Sequence, residues 1–336
     1  MTSSQRSAVV EVVAPGRTTT VQDRGRVGMA RYGVPRSGPV DVLAHRLAAR
    51  LAGVPADAAA ATVALEVGVE PCRLGVDDEP VGLAVAGEGA HLDVGGTHIP
   101  APCVVVLSPG ETAVVTARTW AYVVPAGDVI LPSVLGSRSR HPRSGLGPSL
   151  DAGTRLVVEQ PRQVVEGVWG MPGLPGGPLH VLPAPQTDLF ERASRDALVT
   201  ATWSTTTASD RMGARLDGPE LRATDGHDIV SDGIVAGALQ VPGDGQPFVL
   251  LADHQTTGGY PKIGVLATID LARFVRLPPG SPVTFTWSDV ATGRRRMRAA
   301  HDAIDHVAAQ RPRPHAHALG RANLIGGVAD PHERGS

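Results

Sequence analysis

His91-Leu-Asp-Val-Gly95-Gly96-Thr-His-Ile99 decides the fold class. Two short segments with alternating apolar and polar residues flank a Gly-Gly pair. That is the signature of a two-residue β-hairpin, whose turn needs φ > 0 at both central positions. The pattern repeats outward. Cys103–Leu107 and Thr112–Thr116 flank a Ser-Pro-Gly turn, Ala8–Val13 runs into Pro15-Gly16, and Val81–Ala86 and Trp120–Val124 are continuously apolar. Beyond the midpoint, Arg155–Glu159, His180–Leu182, Ala197–Trp203, Asp228–Val230, Ala238–Val241, Pro247–Leu251 and Val283–Trp287 read as further strands. Short strands at this spacing predict sandwiches or barrels, hence a mainly β chain with a few short helices.

Four segments break that rhythm. Val40, Leu43, Ala44, Leu47 and Leu51 recur at helical spacing, with Ser37 ahead as cap, Pro39 in the first turn and Gly53 at the stop. Thr187–Ala193 and Thr268–Val275 are short helix candidates, and Ser288 caps a last helix running to about Gln310. Ser133–Gly153 is rich in Gly, Ser, Pro and Arg and reads as a linker. The expected organisation is an N-terminal half over 1–132, a linker over 133–153, and a C-terminal half with its terminal helix over 154–310. The aperiodic Pro-, His- and Arg-rich segment 311–336 reads as a disordered tail, in which the His315/His317 pair is incidental.

At 336 residues the chain is long enough for about two cores. The net charge of −2 argues against nucleic acid and membrane surfaces as partners. Cys72 and Cys103 have neither redox nor zinc spacing and read as buried thiols in a reducing compartment. The polar start Met1–Ser7 does not resemble a signal peptide, and no apolar run approaches membrane-spanning length, so a cytoplasmic location is expected.

The chain holds a single lysine, Lys262, among 31 basic residues. Where arginine serves every other cationic role, a retained lysine points to a compact, rotatable, deprotonatable amine. Lys262 follows Pro261 and precedes Ile263, which excludes a Walker A loop, and its context is not that of a biotin carrier. Lys262 closes a polar segment that begins at Asp253, at the end of the apolar run Phe248–Ala252. Asp253 is expected to orient an amine or accept a proton. Gln240, Gln246 and Gln255 offer paired amide donors and acceptors suited to an amide, lactam or ureido group. Thr256, Thr257, Gly258 and Gly259 are expected to hold an oxyanion or phosphate, with Tyr260 and Ser231 nearby, and Asp210 and Arg211 read either as part of the site or as a structural salt bridge. A second polar loop carries Gln22, Asp23 and Arg26, read either as substrate-binding residues or as a structural loop in which Asp23 and Arg26 pair locally. No metal-ligand spacing, GxSxG elbow, HExxH or dinucleotide fingerprint occurs.

Six ordered segments resemble one family: Val21–Gly28, Gly33–Asp41, Leu135–Ser139, Ser209–Leu216, Gln240–Pro247 and Gln255–Ile263. The resemblance is to the biotin-dependent carboxyltransferase family, also called allophanate hydrolase subunit 2, which includes the C-type component of 5-oxoprolinase and the antagonist of the sporulation kinase inhibitor. It implies two cyclophilin-like β-barrel halves. It also implies an obligate B-type partner (allophanate hydrolase subunit 1 family) and a third subunit, acting with ATP to open 5-oxoproline to glutamate. ATP would be used in that complex and not by a P-loop of this chain. Two other activities occur among such proteins: carboxyl transfer from carboxybiotin to urea, with the biotin carried elsewhere, and non-enzymatic sequestration of a kinase inhibitor. The stretches Gly68–Gly75 and Tyr122–Asp128 depart from the family pattern.

Overall fold

The computed structural model describes residues 6–321. Segment 322–336 of the expected tail, and Met1–Gln5, lie outside the described residues. The architecture is mainly β, in three large sheets. The first contains seven strands in the order 128–130, 154–159, 7–14, 72–76, 112–116, 91–94 and 97–100. The second contains six, in the order 167–168, 103–107, 81–86, 121–125, 64–67 and 20–22. These two face each other across a core of Val10, Leu74, Leu92 and Val115 from the first sheet and Leu83, Val105 and Val123 from the second.

Burial explains the two sequence textures. Ser7–Ala14 alternates because one face of its sheet meets solvent. Val81–Ala86 and Ala121–Pro125 are buried throughout because their sheet is covered on both faces. The second cover is helix α1 (Val42–Leu51), with α3 (Thr268–Phe274) and α4 (Val290–Ala309) packed beyond it through Ile269, Ala300 and Ile304. The third sheet, of eight strands, runs 282–283, 203–209, 213–217, 248–250, 238–240, 262–266, 179–183 and 285–287. It forms the C-terminal core together with α2 (Arg192–Thr200). The remaining helix is α5 (Ala316–Arg321). Among the described residues no helix is long and apolar enough to cross a membrane. Cys72 and Cys103 are free and buried, and burial pushes their thiols up to about 11 and about 12.

Several expectations are corrected. Thr154–Glu159 pairs with Ser7–Ala14, so it belongs to the N-terminal half and not to the C-terminal one. The expected linker is docked, with Ser137, Ser139 and His141 buried. Residues 311–321 are ordered: Arg313 bridges Val168, and His315 is buried with Nε2 3.1 Å from the Val104 carbonyl. The cap of α1 is Asp41, whose Oδ1 accepts from Leu43 N and Ala44 N at 3.0 Å. Ser37 instead holds a left-handed backbone conformation, φ 58°, and is not the cap. Asp289, not Ser288, caps α4 through Thr292 N at 2.7 Å. Ala197–Thr200 is helical, with strand beginning at Trp203, and Asp228–Val230 lies outside any strand.

Candidate functional site

The residues expected at one reacting centre divide between two places. Arg211 lies in the turn joining strands 203–209 and 213–217, and every side of its guanidinium is engaged. Nε and Nη2 donate to Asp253 Oδ2 and Oδ1 at 2.7 and 3.0 Å. Nη2 also donates to the Gly38 carbonyl at 2.8 Å, and Nη1 meets Glu66 Oε1. Glu66 Oε2 accepts from Tyr122 Oη at 2.6 Å and from Val40 N at 2.8 Å, and Tyr122 Oη accepts from Asp41 N at 2.8 Å. Asp41 in turn accepts from Arg276 Nε at 2.6 Å. This buried chain of charges runs from the C-terminal half through Arg211 into the N-terminal sheet, and back through Arg276. Burial opposes the charge on Arg211, but Glu66 and Asp253 more than offset it, so its pKa is raised. Burial, then the charges of Glu66 and Asp41, hold the Tyr122 phenol well above its ordinary value, so it stays a neutral donor. Asp253 therefore has both oxygens committed to Arg211, and it is not paired with Lys262.

A cleft of about 520 Å³ borders this network, lined by Arg211 and Asp253 together with Trp120, Thr205, Arg118 and Arg143. Asp210 also borders it, but Asp210 Oδ1 caps its own turn through Met212 N at 2.7 Å.

The N-terminal polar loop is internal scaffolding. Asp23 accepts from Ser137 Oγ, Ser139 Oγ, Gly25 N and Arg138 N at 2.5–2.9 Å. Burial opposes its ionisation, and these four bonds more than compensate, so the carboxyl lies below its ordinary value. Gln22 ties Gly38 N to the Arg140 carbonyl. Arg26 donates to the Ser139 carbonyl at 2.6 Å and is buried, and burial lowers its pKa. Asp23 and Arg26 pin Ser137–Ser139 against the first loop, and Gln22 holds the neighbouring Arg140.

The second place is around Lys262. Its strand, Lys262–Leu266, pairs with Ala238–Gln240, and Gln240 lies opposite Lys262. Across the end of this pair runs a ribbon in which Asp232–Gly233 pairs with Thr257–Gly258. The amine is buried, 4% exposed, and donates to Asp232 Oδ2 at 3.1 Å. Gln186 Nε2 donates to the same oxygen at 3.0 Å. The hydrogen bonds from Lys262, then Gln186, then Gly233 N hold the Asp232 carboxyl below its ordinary value. Among the described residues, two buried polar atoms here have no protein partner: Gln240 Nε2, a donor, and Gln186 Oε1, an acceptor. A buried polar atom without a partner costs about 1–3 kcal/mol, so such atoms mark strain or a binding function. Gly258 fits closely against this site, because a Cβ there would sit 2.6 Å from Gln240 Nε2.

Of the other expected residues, Thr256 contributes its carbonyl to Ile234 N, and Gly259 contributes its carbonyl to Ile229 N. Ser231, Gln255, Thr257 and Tyr260 are exposed along the ribbon. Gln246 is elsewhere: it bonds both backbone groups of Gly218 at 3.0 Å and closes a turn. Sequence reasoning missed Gln186, which sits on an isolated short turn, and did not assign Asp232. It also missed Glu66, although a carboxylate in the fully buried strand Ala64–Val67 has to be paired.

Residues 32–287 match the family described as carboxyltransferase domain, subdomain A and B. The chain belongs to this family. It is 32% identical over 286 residues to the C-type component of 5-oxoprolinase from Escherichia coli, covering 82% of this chain and 90% of that protein. Its fold superposes on the Kluyveromyces lactis urea carboxylase with a TM-score of 0.78 at 25% identity, covering 91% of this chain and 30% of that one. TTHA0988 superposes with a TM-score of 0.74 at 32% identity, covering 84% of this chain and 56% of that one. The chain thus spans about half of TTHA0988 and under a third of the urea carboxylase.

Proposed function

We propose that this chain is one component of an ATP-dependent 5-oxoprolinase and binds the lactam at Lys262. One observation carries the reading: a buried ammonium lies beside an unpartnered amide donor, Gln240 Nε2, and an unpartnered amide acceptor, Gln186 Oε1. A lactam presents the complement, a carbonyl that accepts and an N–H that donates. Gln240 and Lys262 polarise the carbonyl, and Gln186 orients the ring nitrogen. As water adds to the lactam carbon, negative charge grows on the carbonyl oxygen and is met by donors already in place, and it returns to the carbonyl as the C–N bond breaks. Lys262 can then pass a proton toward the departing nitrogen, while Asp232 holds the amine in position. The likeness to the 5-oxoprolinase component of Escherichia coli supports this substrate over other amides.

ATP hydrolysis makes lactam opening favourable, and the nucleotide belongs to the partners. Lys262 is already paired with a carboxylate, which disfavours a polyphosphate beside it. The partners are a B-type subunit and a third subunit. The chain alone should therefore lack turnover, and its place is the cytoplasm. A second reading is carboxyl transfer to urea from carboxybiotin carried by another chain, supported by the match to a urea carboxylase. Urea has the same planar N–C=O. The test is reconstitution with the B-type partner and third subunit. Glutamate should form from 5-oxoproline only when ATP is present, with no effect of avidin. Avidin-sensitive carboxylation of urea, without 5-oxoproline turnover, would replace this reading with the second.

A further inference from the structure

We propose that His91, Asp93 and His98 form a binding site for a divalent transition-metal ion of the zinc class, on the outer face of the first sheet and apart from both places described above. The residues lie on the hairpin formed by strands 91–94 and 97–100. Its turn glycines, Gly95 and Gly96, have φ of 54° and 80°, the paired positive values of a tight two-residue turn. That turn fixes the register, with Asp93 opposite His98 and His91 opposite Pro100. His91 and Asp93 are two residues apart and share a face, and His98 joins them from across the ladder. The opposite face is anchored by Leu92, Val94 and Ile99 in the core. Strand 91–94 is also paired on its other edge to Thr112–Thr116, so two of the three ligands stand on a strand held from both sides.

The donor atoms already converge. His91 Nε2 and His98 Nδ1 lie 3.4 and 3.0 Å from the two oxygens of Asp93. All three groups offer a ligand atom within 4.8 Å of the others. Ligands about 2.0–2.1 Å from a tetrahedral ion are separated by roughly 3.4 Å, so small side-chain rotations complete the site. The imidazole rings are 4.2 Å apart between centroids and tilted by 40°. Two imidazoles and one carboxylate suit zinc, cobalt, nickel or copper. They suit calcium and magnesium poorly, because those ions take oxygen ligands. The His98 side chain is 62% exposed, which leaves a fourth position open to water. The ion would tie the two arms of the hairpin together.

The test uses the full chain, with Zn²⁺ titrated calorimetrically and Co²⁺ as the spectroscopic probe. The wild type should take one equivalent of Zn²⁺ and show the intense visible bands of four-coordinate Co²⁺. His98→Ala and His91→Ala should each weaken Zn²⁺ binding at least about tenfold, the loss seen even for outer-shell partners, and abolish the Co²⁺ bands. His317→Ala should change neither. His91 and His98 stand on the outer face of the hairpin, so the metal-free melting curves of their variants should match the wild type. A Zn²⁺-induced rise in Tm should occur in the wild type and not in His98→Ala. Absence of Zn²⁺ binding, unchanged affinity in the His91 and His98 variants, or equal affinity for Mg²⁺ would overturn the assignment.

Discussion

Arg211→Met removes the central cation of the network joining the two halves. The change is nearly volume-conserving, so it isolates charge and hydrogen bonding. Four hydrogen bonds disappear, two to Asp253 and one each to Glu66 and Gly38. Glu66 and Asp253 are left buried, with side chains 0% and 4% exposed and no cation between them. Removing one partner of a buried ion pair costs about 3–5 kcal/mol, mostly from stranding the opposite charge. For a chain of 336 residues that is roughly 4–7 °C in Tm. The second variant, Glu66→Gln, keeps an acceptor for Tyr122 and removes one stranded charge. The double variant should therefore be more stable than the sum of the singles predicts, by at least about 1 kcal/mol. Thermal and urea denaturation at neutral pH, followed by circular dichroism, supply all four corners of the cycle. A loss below about 1 kcal/mol in Arg211→Met, or strict additivity in the double variant, would refute the network as the clamp between halves. The same cycle decides the place of Asp253. Asp253→Asn should lower stability, and a variant with the wild-type melting curve but no turnover would return Asp253 to the role of base.

Gly258→Ala should leave the melting curve nearly unchanged, because the new Cβ crowds only the end of the Gln240 side chain, at 2.6 Å, and meets Ile234 at an ordinary contact distance of 3.6 Å. Displacing that amide should raise KM for 5-oxoproline in the reconstituted complex roughly two- to tenfold, the worth of one hydrogen bond, and an unchanged KM would remove Gln240 from the site. His45 is fully buried, with Nε2 2.9 Å from the Thr62 carbonyl, and burial lowers its pKa below 6.5. The unfolded chain therefore takes up a proton near pH 6.5 that the folded chain resists. Stability should fall as pH drops below about 6.5, by up to about 1.4 kcal/mol per pH unit for this one group, and His45→Gln should flatten that slope.

The hairpin at Gly95-Gly96, the continuous apolar strands and the helix at Val42–Leu51 were legible because period, turn chemistry and burial agree there. The unit boundaries were not. Thr154–Glu159 looks like any other strand, and only its pairing with Ser7–Ala14, far back in the chain, assigns it to the first sheet. The segment 311–321 carries few apolar residues. It is held instead by backbone and imidazole bonds to Val168 and Val104, which leave no hydrophobic pattern. At the proposed site, lysine scarcity singles out Lys262, and glycine density singles out the ribbon beside it. Asp253 misled because a carboxylate at the end of a buried strand looks the same whether it faces a substrate or an arginine. Gln186 was invisible, since a glutamine on a short turn has no local signature until the fold carries it to Asp232.

The most direct measurement is turnover of the reconstituted complex with wild type, Lys262→Arg and Lys262→Ala, each with a melting curve. Asp232 is half exposed and stays hydrated without its partner, so loss of the ion pair itself should cost little, and the melting curves separate any packing loss at the buried Lys262 position from the loss of turnover. The ammonium occupies a buried space bounded by Asp232 and Gln240, which a planar guanidinium cannot fill in the same way. Guanidinium also keeps its proton near neutral pH. Both variants should therefore lose at least about 100-fold in kcat, the scale of one positioned proton donor or oxyanion contact. Near-wild-type turnover in Lys262→Arg would show that only a positive charge is needed there, and would contradict the assignment of the reacting centre to Lys262.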